Sequence, residues 1–361
     1  MKLSKATEII SGQFGSFLLP KYQDYSKLLI KSDGSNWVLN TIANEMQLVC
    51  NRIGIPTLDS KYARFIKNQC IYFTSKYSVL SNWKNPKNRI GFPYYHGNPK
   101  SSNSFHKMIK NIEKNHNYIS RIQVSHSEME EVILNTGIDS NKVFRIPISI
   151  DLELFPQVDP WRKKAAREKL NIPESSLVIG SFQKDGNGWG EGYEPKLIKG
   201  PDIFLKTIAI LKDQFSSIEV LLTGPARGYV KRGLEKINVP YQHYTLKNYS
   251  EIINYYYALD LYLITSREEG GPRAVLESMA SGIPLVTTRV GQAMDLVGHE
   301  KNGWMVNIED VEGLAYWAKH AIENSDSLDD VLSEARKTAE NNCYEAQIPL
   351  WKNFMDGFVN Y

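Results

Sequence analysis

The chain has 361 residues, of which 42% are hydrophobic and 23% are charged. These values are typical of a globular protein with more than one domain, and they exclude a disordered or fibrous chain. The sequence lacks an apolar run of about 18 residues or more, which excludes a membrane span, and its first residues lack the apolar stretch of a secretion signal. The three cysteines, Cys50, Cys70 and Cys343, are far apart and odd in number. This pattern predicts reduced, buried thiols and a cytoplasmic protein.

The net charge of +3 conceals an asymmetry along the chain. Residues 1–150 contain 20 Lys and Arg against 10 Asp and Glu, whereas the remainder contains 23 against 30. Aromatic residues accompany the basic ones in 82–100 and 105–121. This pattern indicates an anionic partner or an anionic membrane surface, with a solvated basic face as an equal alternative. We expect no nucleic-acid partner.

The first part of the chain predicts a small α/β domain. Residues up to about Tyr25 are interpreted as a helix followed by an extended arm. A strand is then expected at Lys27–Ile30, and helical spacing follows over Trp37–Ile55. Further short strands are predicted at Ile71–Phe73, Gly91–Tyr95, Arg121–Ser125 and VFRIPI, with a helix at SEMEEVILNTGI.

The second part alternates strands and helices after a loop-like junction in residues 151–160. The predicted strands are LVIGSF, IEVLLTG, LYLIT and PLVTT. The predicted helices are PDIFLKTIAILKDQ, SEIINYYYAL, PRAVLESMA and VEGLAYWAKHAIEN. This alternation predicts parallel sheets of Rossmann type. We therefore expect domains at 1–155 and 156–345, with 346–361 forming a C-terminal helix that docks on the first domain.

The stretch SREEGGPRAVLESMASGIPLV places two glutamates, Glu269 and Glu277, with seven residues between them. It follows the predicted strand LYLIT, so its loop lies at the edge where parallel sheets bind ligands. Gly270 and Gly271 allow a phosphate or sugar oxygen to approach the start of the next helix, where Pro272 fits the first turn. Carboxylates at these positions can accept hydrogen bonds from vicinal diols.

Each glutamate alone is also explained by the helix dipole or by an exposed helix face. The pair around GGPR, followed by MASGIPLVTT, is more specific. With NYYYALDLYLITSREEGGPR and SMASGIPLVTTRVGQAMDLVGHEKNGWMV, it resembles the signature of retaining GT-B glycosyltransferases of family 4, the glycosyl transferases group 1. The resemblance covers roughly Leu177–His320, extends to Val124–Phe155, and before Arg121 includes only YYHG.

This resemblance implies an α/β GT-B fold of two Rossmann-like domains facing a central cleft. It also implies that Glu269 contacts the donor sugar and that Glu277 contacts the nucleotide ribose. The amides of Gly270, Gly271 and Arg273 are then expected to line the phosphate and sugar. The donor would be a UDP- or GDP-linked sugar, with neither cofactor nor metal required.

A second candidate segment, Gly180–Asp202, follows a predicted strand and is rich in glycine. Its Lys199 resembles the family lysine that binds the donor diphosphate. The arginine that the family usually carries soon after Gly180 is missing here, and Lys184, Arg227 and Arg273 are candidates to replace it. The segment is not a P-loop, and a flexible surface hairpin is the alternative interpretation.

Two residues of the first domain are further candidates. By resemblance, His96 in YYHG would face the donor sugar as a catalytic residue; a loop histidine with a structural hydrogen bond is the alternative. Gly34 in SDGSN would approach the phosphates across the cleft, although an ordinary turn glycine also explains it.

The sequence therefore predicts a retaining, metal-independent glycosyltransferase with a glycan or lipid-linked anionic acceptor. It is expected in the cytoplasm, with peripheral attachment at the inner face of the membrane as a further option. A non-catalytic nucleotide-sugar-binding protein is the alternative. A GT-B epimerase is disfavoured because epimerases use acid–base residues on the sugar. A dinucleotide dehydrogenase is disfavoured because GxGxxG does not directly follow a strand.

Overall fold

A computed structural model describes residues 24–32, 38–60, 66–79 and 87–361. Gly34 and the interpreted N-terminal helix lie outside these residues. The chain divides into two units, the first up to Ile146 together with Gln347–Tyr361, and the second spanning Pro147–Ala346. Residues 147–155, which the sequence assigned to the first domain, thus belong to the second unit.

The first unit contains a six-stranded parallel sheet with the order β2-β1-β3-β4-β5-β6. Its strands are β1 Asp24–Lys31, β2 Thr57–Ser60, β3 Gln69–Phe73, β4 Arg89–Pro93, β5 Arg121–Val124 and β6 Val143–Arg145. Its helices are α1 Val38–Ile53, the single turn α2 Lys76–Val79, α3 Asn103–Asn115 and α4 Ser127–Leu134.

Two hydrophobic clusters cover this sheet. One packs α3 and α4 against it, and the other packs α1 and the end of the chain. The C-terminal residues Phe354 and Phe358 are fully buried in the second cluster. Cys50 and Cys70 lie in the same cluster, and burial raises the pKa of each thiol to about 12. The apolar C-terminal segment therefore completes the core of the first unit.

The second unit contains another six-stranded parallel sheet, with the order β12-β11-β10-β7-β8-β9. Its strands are β7 Leu177–Phe182, β8 Ile218–Thr223, β9 Tyr241–Tyr244, β10 Leu261–Ile264, β11 Leu285–Thr288 and β12 Trp304–Val306. Its helices are α5 Pro160–Leu170, α6 Pro201–Lys212, α7 Gly228–Lys236, α8 Ile253–Tyr256, α9 Arg273–Ser281, α10 Ala293–Leu296, α11 Val311–Glu323 and α12 Asp329–Glu340; α13, Tyr344–Met355, leads into the first unit.

The topology of the second sheet brings the two candidate segments together. Strands β7 and β10 are neighbours, with Gly180 opposite Tyr262. Because both strands run parallel, the loop after β7 and the loop after β10 leave the same edge of the sheet. One helix differs from the prediction. Where SEIINYYYAL predicts a continuous helix, the chain forms a 3-10 helix at Tyr249–Ile252 followed by one turn of α-helix at Ile253–Tyr256.

Among the residues that the structure describes, no helix is long and apolar enough to cross a membrane.

Candidate active site

The centre of the candidate site is an ion pair between its two loops. Lys199 Nζ lies 2.5 Å from Glu269 Oε2, and Ser266 Oγ donates a 2.9 Å hydrogen bond to the other carboxylate oxygen. The side chains of Lys199 and Glu269 are 22% and 11% exposed. The structure therefore brings together the two residues that the sequence placed at the donor diphosphate and the donor sugar.

Arg267 ties these loops to each other. Its two terminal nitrogens each donate a 2.8 Å hydrogen bond to Asp202 at the start of α6, a bidentate arrangement that lowers the pKa of Asp202. Its backbone N–H donates to the carbonyl of Ile198, and Nη1 donates to the carbonyl of Leu197. Arg267 thus holds the turn that carries Lys199 beside the loop that carries Glu269. Sequence reasoning did not identify it.

Two glycines allow the backbones at this edge to approach closely. Gly200 has φ of +63°, and a Cβ there would lie 1.8 Å from the carbonyl oxygen of Thr265. Gly291 has φ of +51°, and its Cβ would lie 2.9 Å from the carbonyl oxygen of Glu269. Side chains at either position would displace the loop that carries the first glutamate.

The start of α9 lies next to Glu269 in the sequence. The helix begins at Arg273, and Pro272 occupies the preceding cap position rather than the first turn. Gly270 is buried, and Gly271 is packed against Ile148, so that a Cβ would lie 2.6 Å from that side chain. The first amides of a helix have no acceptor within their own helix, so this end favours an anion or a sugar oxygen.

Glu277 lies on α9 and is only 3% exposed. Tyr249 donates a short hydrogen bond to Oε1, and Tyr256 donates a 2.8 Å hydrogen bond to Oε2. Burial raises the pKa of Glu277, although the two hydroxyls and the charge of Arg273 oppose this rise. The second glutamate of the pair is therefore a buried acceptor with a tyrosine hydroxyl on each oxygen.

Lys196 is a further basic residue of the site that sequence reasoning missed. It immediately precedes the 3-10 turn Leu197–Lys199, its carbonyl accepts a 2.8 Å hydrogen bond from the N–H of Lys199, and its ammonium is close enough to feel the charges of Lys199 and Glu269. Burial lowers the pKa of Lys196, and the charges of Lys199 and Lys184 lower it further. The spacing of three between the two lysines was the signal in the sequence.

Lys184 and Lys196 lie at the base of a hairpin. The N–H of Lys196 donates to the carbonyl of Asp185, and Gly186 pairs with Pro195 further out. The glycine-rich segment therefore folds back on itself as a hairpin, and its contact with a donor stays a prediction. Lys184 Nζ lies 3.8 Å from the ring centroid of Trp189, an indole that is 79% exposed. The hairpin base thus gathers positive charge next to Lys199.

Arg227 was predicted to contact the donor, and the structure corrects this prediction. Its side chain is fully buried, with Nε 3.0 Å from Asp185 Oδ1. Nη1 donates to the carbonyls of Ser181 and Thr223 at 2.6 Å and 2.9 Å. Burial raises the pKa of Asp185, and Arg227 opposes that rise. Arg227 therefore fixes the base of the hairpin from inside the unit and does not face a ligand.

The remaining predicted residues are placed as follows. The guanidinium of Arg273 lies 5.8 Å from the ring centroid of Tyr249. His96, in the first unit, is exposed and packs edge-on against Phe105, with 5.7 Å between ring centroids. The buried Lys76 donates a hydrogen bond to the carbonyl of His96 and so fixes its loop. The catalytic role of His96 stays a prediction.

Comparison with solved structures identifies the class of fold. HepE of Anabaena, solved in complex with UDP and glucose, superposes with a TM-score of 0.72 at 15% identity, over 91% of this chain and 99% of that one. Sucrose-phosphate synthase of Thermosynechococcus elongatus gives a TM-score of 0.65 at 17% identity, over 88% of this chain and 77% of that one. The predicted α/β GT-B fold is confirmed.

Sequence comparison points to the same kind of protein. Residues 194–338 match the family model of glycosyl transferases group 1, the family that the resemblance named. A D-inositol 3-phosphate glycosyltransferase of Corynebacterium urealyticum is 26% identical, over 59% of this chain and 49% of its own length. The lipopolysaccharide core mannosyltransferase LpsB of Rhizobium meliloti is 27% identical, over 43% and 44%. The chain spans about half the length of these relatives.

Proposed function

We propose that this protein transfers a sugar from a nucleotide-sugar donor to a glycan or lipid-linked acceptor, with retention of the anomeric configuration and without a metal ion. The observation that carries the proposal is the ion pair of Lys199 and Glu269 beside the start of α9. The cation of such a pair can bind a diphosphate, and its carboxylate can accept hydrogen bonds from sugar hydroxyls. The match of residues 194–338 to the family model of glycosyl transferases group 1 supports the same activity.

The chemistry that these residues support is a displacement on one face of the sugar. The bond between the anomeric carbon and the diphosphate oxygen breaks, and the acceptor oxygen bonds to the same face of that carbon. The acceptor proton passes to the departing diphosphate oxygen. Lys199, Lys196 and Lys184 stabilise the charge that develops on the diphosphate, as a metal ion would elsewhere. Glu269 orients the sugar by accepting hydrogen bonds and need not act as a nucleophile.

The nucleoside end is proposed to lie at Glu277. Because its carboxylate is buried and accepts hydrogen bonds only, it suits the two hydroxyls of a ribose. The donor base is left to experiment, with UDP and GDP as the two probes. UDP is tested first because HepE, which shares the fold, was solved with UDP.

The donor site is tested by calorimetric titration of UDP and GDP into the wild type, Glu277→Gln and Glu312→Gln. Glu312 is an exposed glutamate at the start of α11 and serves as the matched control. We expect one nucleotide to bind the wild type and the control equally and Glu277→Gln at least about tenfold more weakly. Binding of neither nucleotide to any variant would contradict the proposed donor site.

Transfer itself is tested with radiolabelled UDP- and GDP-sugars and extracted polysaccharide and lipid-linked fractions as acceptors. We expect a labelled product, unchanged by EDTA, whose linkage has the anomeric configuration of the donor. Nucleotide binding without transfer or release of the sugar would favour the non-catalytic alternative. An inverted linkage would refute retention alone.

The basic residues of 1–150 support an anionic acceptor or membrane surface. Co-sedimentation with phosphatidylglycerol vesicles tests this part, with phosphatidylcholine vesicles as the control. We expect binding to the anionic vesicles at low salt and its loss at about 0.5 M salt, where screening is strong. Absence of binding at low salt would rule out membrane contact by charge.

A further inference from the structure

The two tyrosines on Glu277 differ in their surroundings. Tyr256 is fully buried and packs against Phe182 and Tyr262, with ring centroids 5.0 Å and 5.3 Å away. Tyr249 is 39% exposed, although its hydroxyl reaches the same buried carboxylate. Tyr256 thus belongs to the core, whereas Tyr249 approaches Glu277 from the surface of the unit.

The backbone around Tyr249 also sets it apart. Tyr249 is the first residue of a 3-10 helix and follows two exposed residues, Lys247 and Asn248. Its ring packs against Phe155 on one side, with 6.1 Å between centroids, and lies near the guanidinium of Arg273. A change of its side-chain rotamer would leave the sheet and the contacts of Tyr256 with Phe182 and Tyr262 in place, and would give up the contact with Phe155.

Chemistry makes the hydroxyl of Tyr249 comparable to a ribose hydroxyl. Both are neutral O–H donors, and a carboxylate oxygen accepts either. Glu277 is 3% exposed, and Tyr249 is the more exposed of its two partners. A diol would therefore approach Oε1 from the side of Tyr249 and displace its hydroxyl. If the hydroxyl leaves without a replacement, a buried carboxylate loses a hydrogen bond, which is unfavourable.

We propose that Tyr249 competes with the bound nucleotide: its hydroxyl holds the place of a ribose hydroxyl on Glu277, and the ribose of a nucleoside diphosphate replaces it. This inference rests on the proposed function. A nucleotide with both ribose hydroxyls restores the hydrogen bond that Tyr249 gives up, whereas a nucleotide without them cannot and leaves Tyr249 in place. Tyr249 thereby lowers the affinity for the ribonucleotide that displaces it and leaves the affinity for a nucleotide without the diol unchanged.

The test is calorimetric titration of UDP, GDP and their 2′,3′-dideoxy analogues into the wild type, Tyr249→Phe and Tyr255→Phe. Tyr255 lies on α8 and packs against Tyr244 and Phe182 without contacting Glu277, so it is the matched control. We expect Tyr249→Phe to bind the ribonucleotide about tenfold more tightly and the dideoxy analogue with unchanged affinity, since only the ribonucleotide competes with the hydroxyl. Tyr255→Phe should match the wild type with both ligands.

Equal or weaker binding of the ribonucleotide by Tyr249→Phe would overturn the inference, because Tyr249 would then stay on Glu277 and orient it. If no variant binds either ribonucleotide, the proposed donor site fails and this inference fails with it. Binding by the wild type without a gain in Tyr249→Phe refutes the inference alone. Thermal unfolding of each variant checks the fold, which Tyr249→Phe should preserve because it removes only the hydroxyl.

Discussion

Lys199 and Glu269 neutralise each other across the loops that follow β7 and β10, with Nζ 2.5 Å from Oε2. A nucleotide sugar would replace each partner. Its diphosphate would take the place of Glu269 beside Lys199, and its sugar hydroxyls would take the place of Lys199 beside Glu269. Removal of either residue would leave a partly buried charge without its counter-ion and would also remove a contact to the proposed donor.

Replacement of Lys199 by alanine is expected to lower kcat for release of the nucleoside diphosphate by about 100-fold or more, because a preorganised charge on the leaving group is lost. The assay is coupled release of the diphosphate from the nucleotide sugar that the wild type uses. Lys206→Ala, which removes an exposed lysine of α6, is the matched control and should retain activity. A rate within threefold of the wild type, taken as roughly 0.7 kcal/mol, would contradict the assigned role.

Lys196 is expected to make diphosphate binding depend on pH on the alkaline side. Burial and the neighbouring lysines lower its pKa, so it loses its proton at a lower pH than an ordinary lysine. A bound diphosphate favours the protonated form, so binding takes up a proton and the affinity falls as pH rises through the lowered pKa. Titration of the nucleotide between pH 7 and about 10, the ordinary range of lysine, should show this fall in the wild type and a flatter profile in Lys196→Ala. Equal profiles would exclude Lys196 from the diphosphate site.

Glu277 is expected to reduce the stability of the protein above acidic pH. Burial raises its folded-state pKa above the unfolded value of about 4.3. Between these two pKa values the folded state binds more protons than the unfolded state, so the free energy of unfolding falls as pH rises through this window. Glu277→Gln lacks this titrating carboxyl group, so its free energy of unfolding should rise relative to that of the wild type as pH rises. Chemical denaturation at a series of pH values measures the difference; a difference that is independent of pH would refute it.

Arg227 is expected to act on folding rather than on the donor. Replacement by methionine leaves Asp185 buried without its counter-ion and should lower the free energy of unfolding by about 3–5 kcal/mol. Denaturant unfolding measures this loss. The double variant Arg227→Met with Asp185→Leu should regain part of it, because it removes the buried charge as well. An unchanged stability of Arg227→Met, with weakened nucleotide binding, would instead restore the predicted contact with the donor.

The sequence predicted most of the strands because their apolar runs are local. LVIGSF coincides with β7, Leu177–Phe182, and LYLIT contains β10, Leu261–Ile264. It missed α5, Pro160–Leu170, whose composition is mostly polar and basic, so its apolar face is short. It also predicted one helix over SEIINYYYAL, where the chain forms the 3-10 turn Tyr249–Ile252 and then α8.

The candidate site divides in the same way. Glu269, Glu277 and the glycines between them were predicted from the sequence, because they belong to one loop and helix start and are close along the chain. Lys199 was predicted separately, from its resemblance to the family lysine. The roles of Arg227 and Arg267 were not predicted, because the sequence around an arginine does not show whether its side chain faces a ligand or holds a loop from the interior. Only the parallel pairing of β7 with β10 brought Lys199 to Glu269, and only side-chain packing put Arg227 in the interior and two tyrosine hydroxyls on Glu277. Local patterns and resemblance predicted Glu269, Glu277 and Lys199, and long-range packing decided which partner each of them meets.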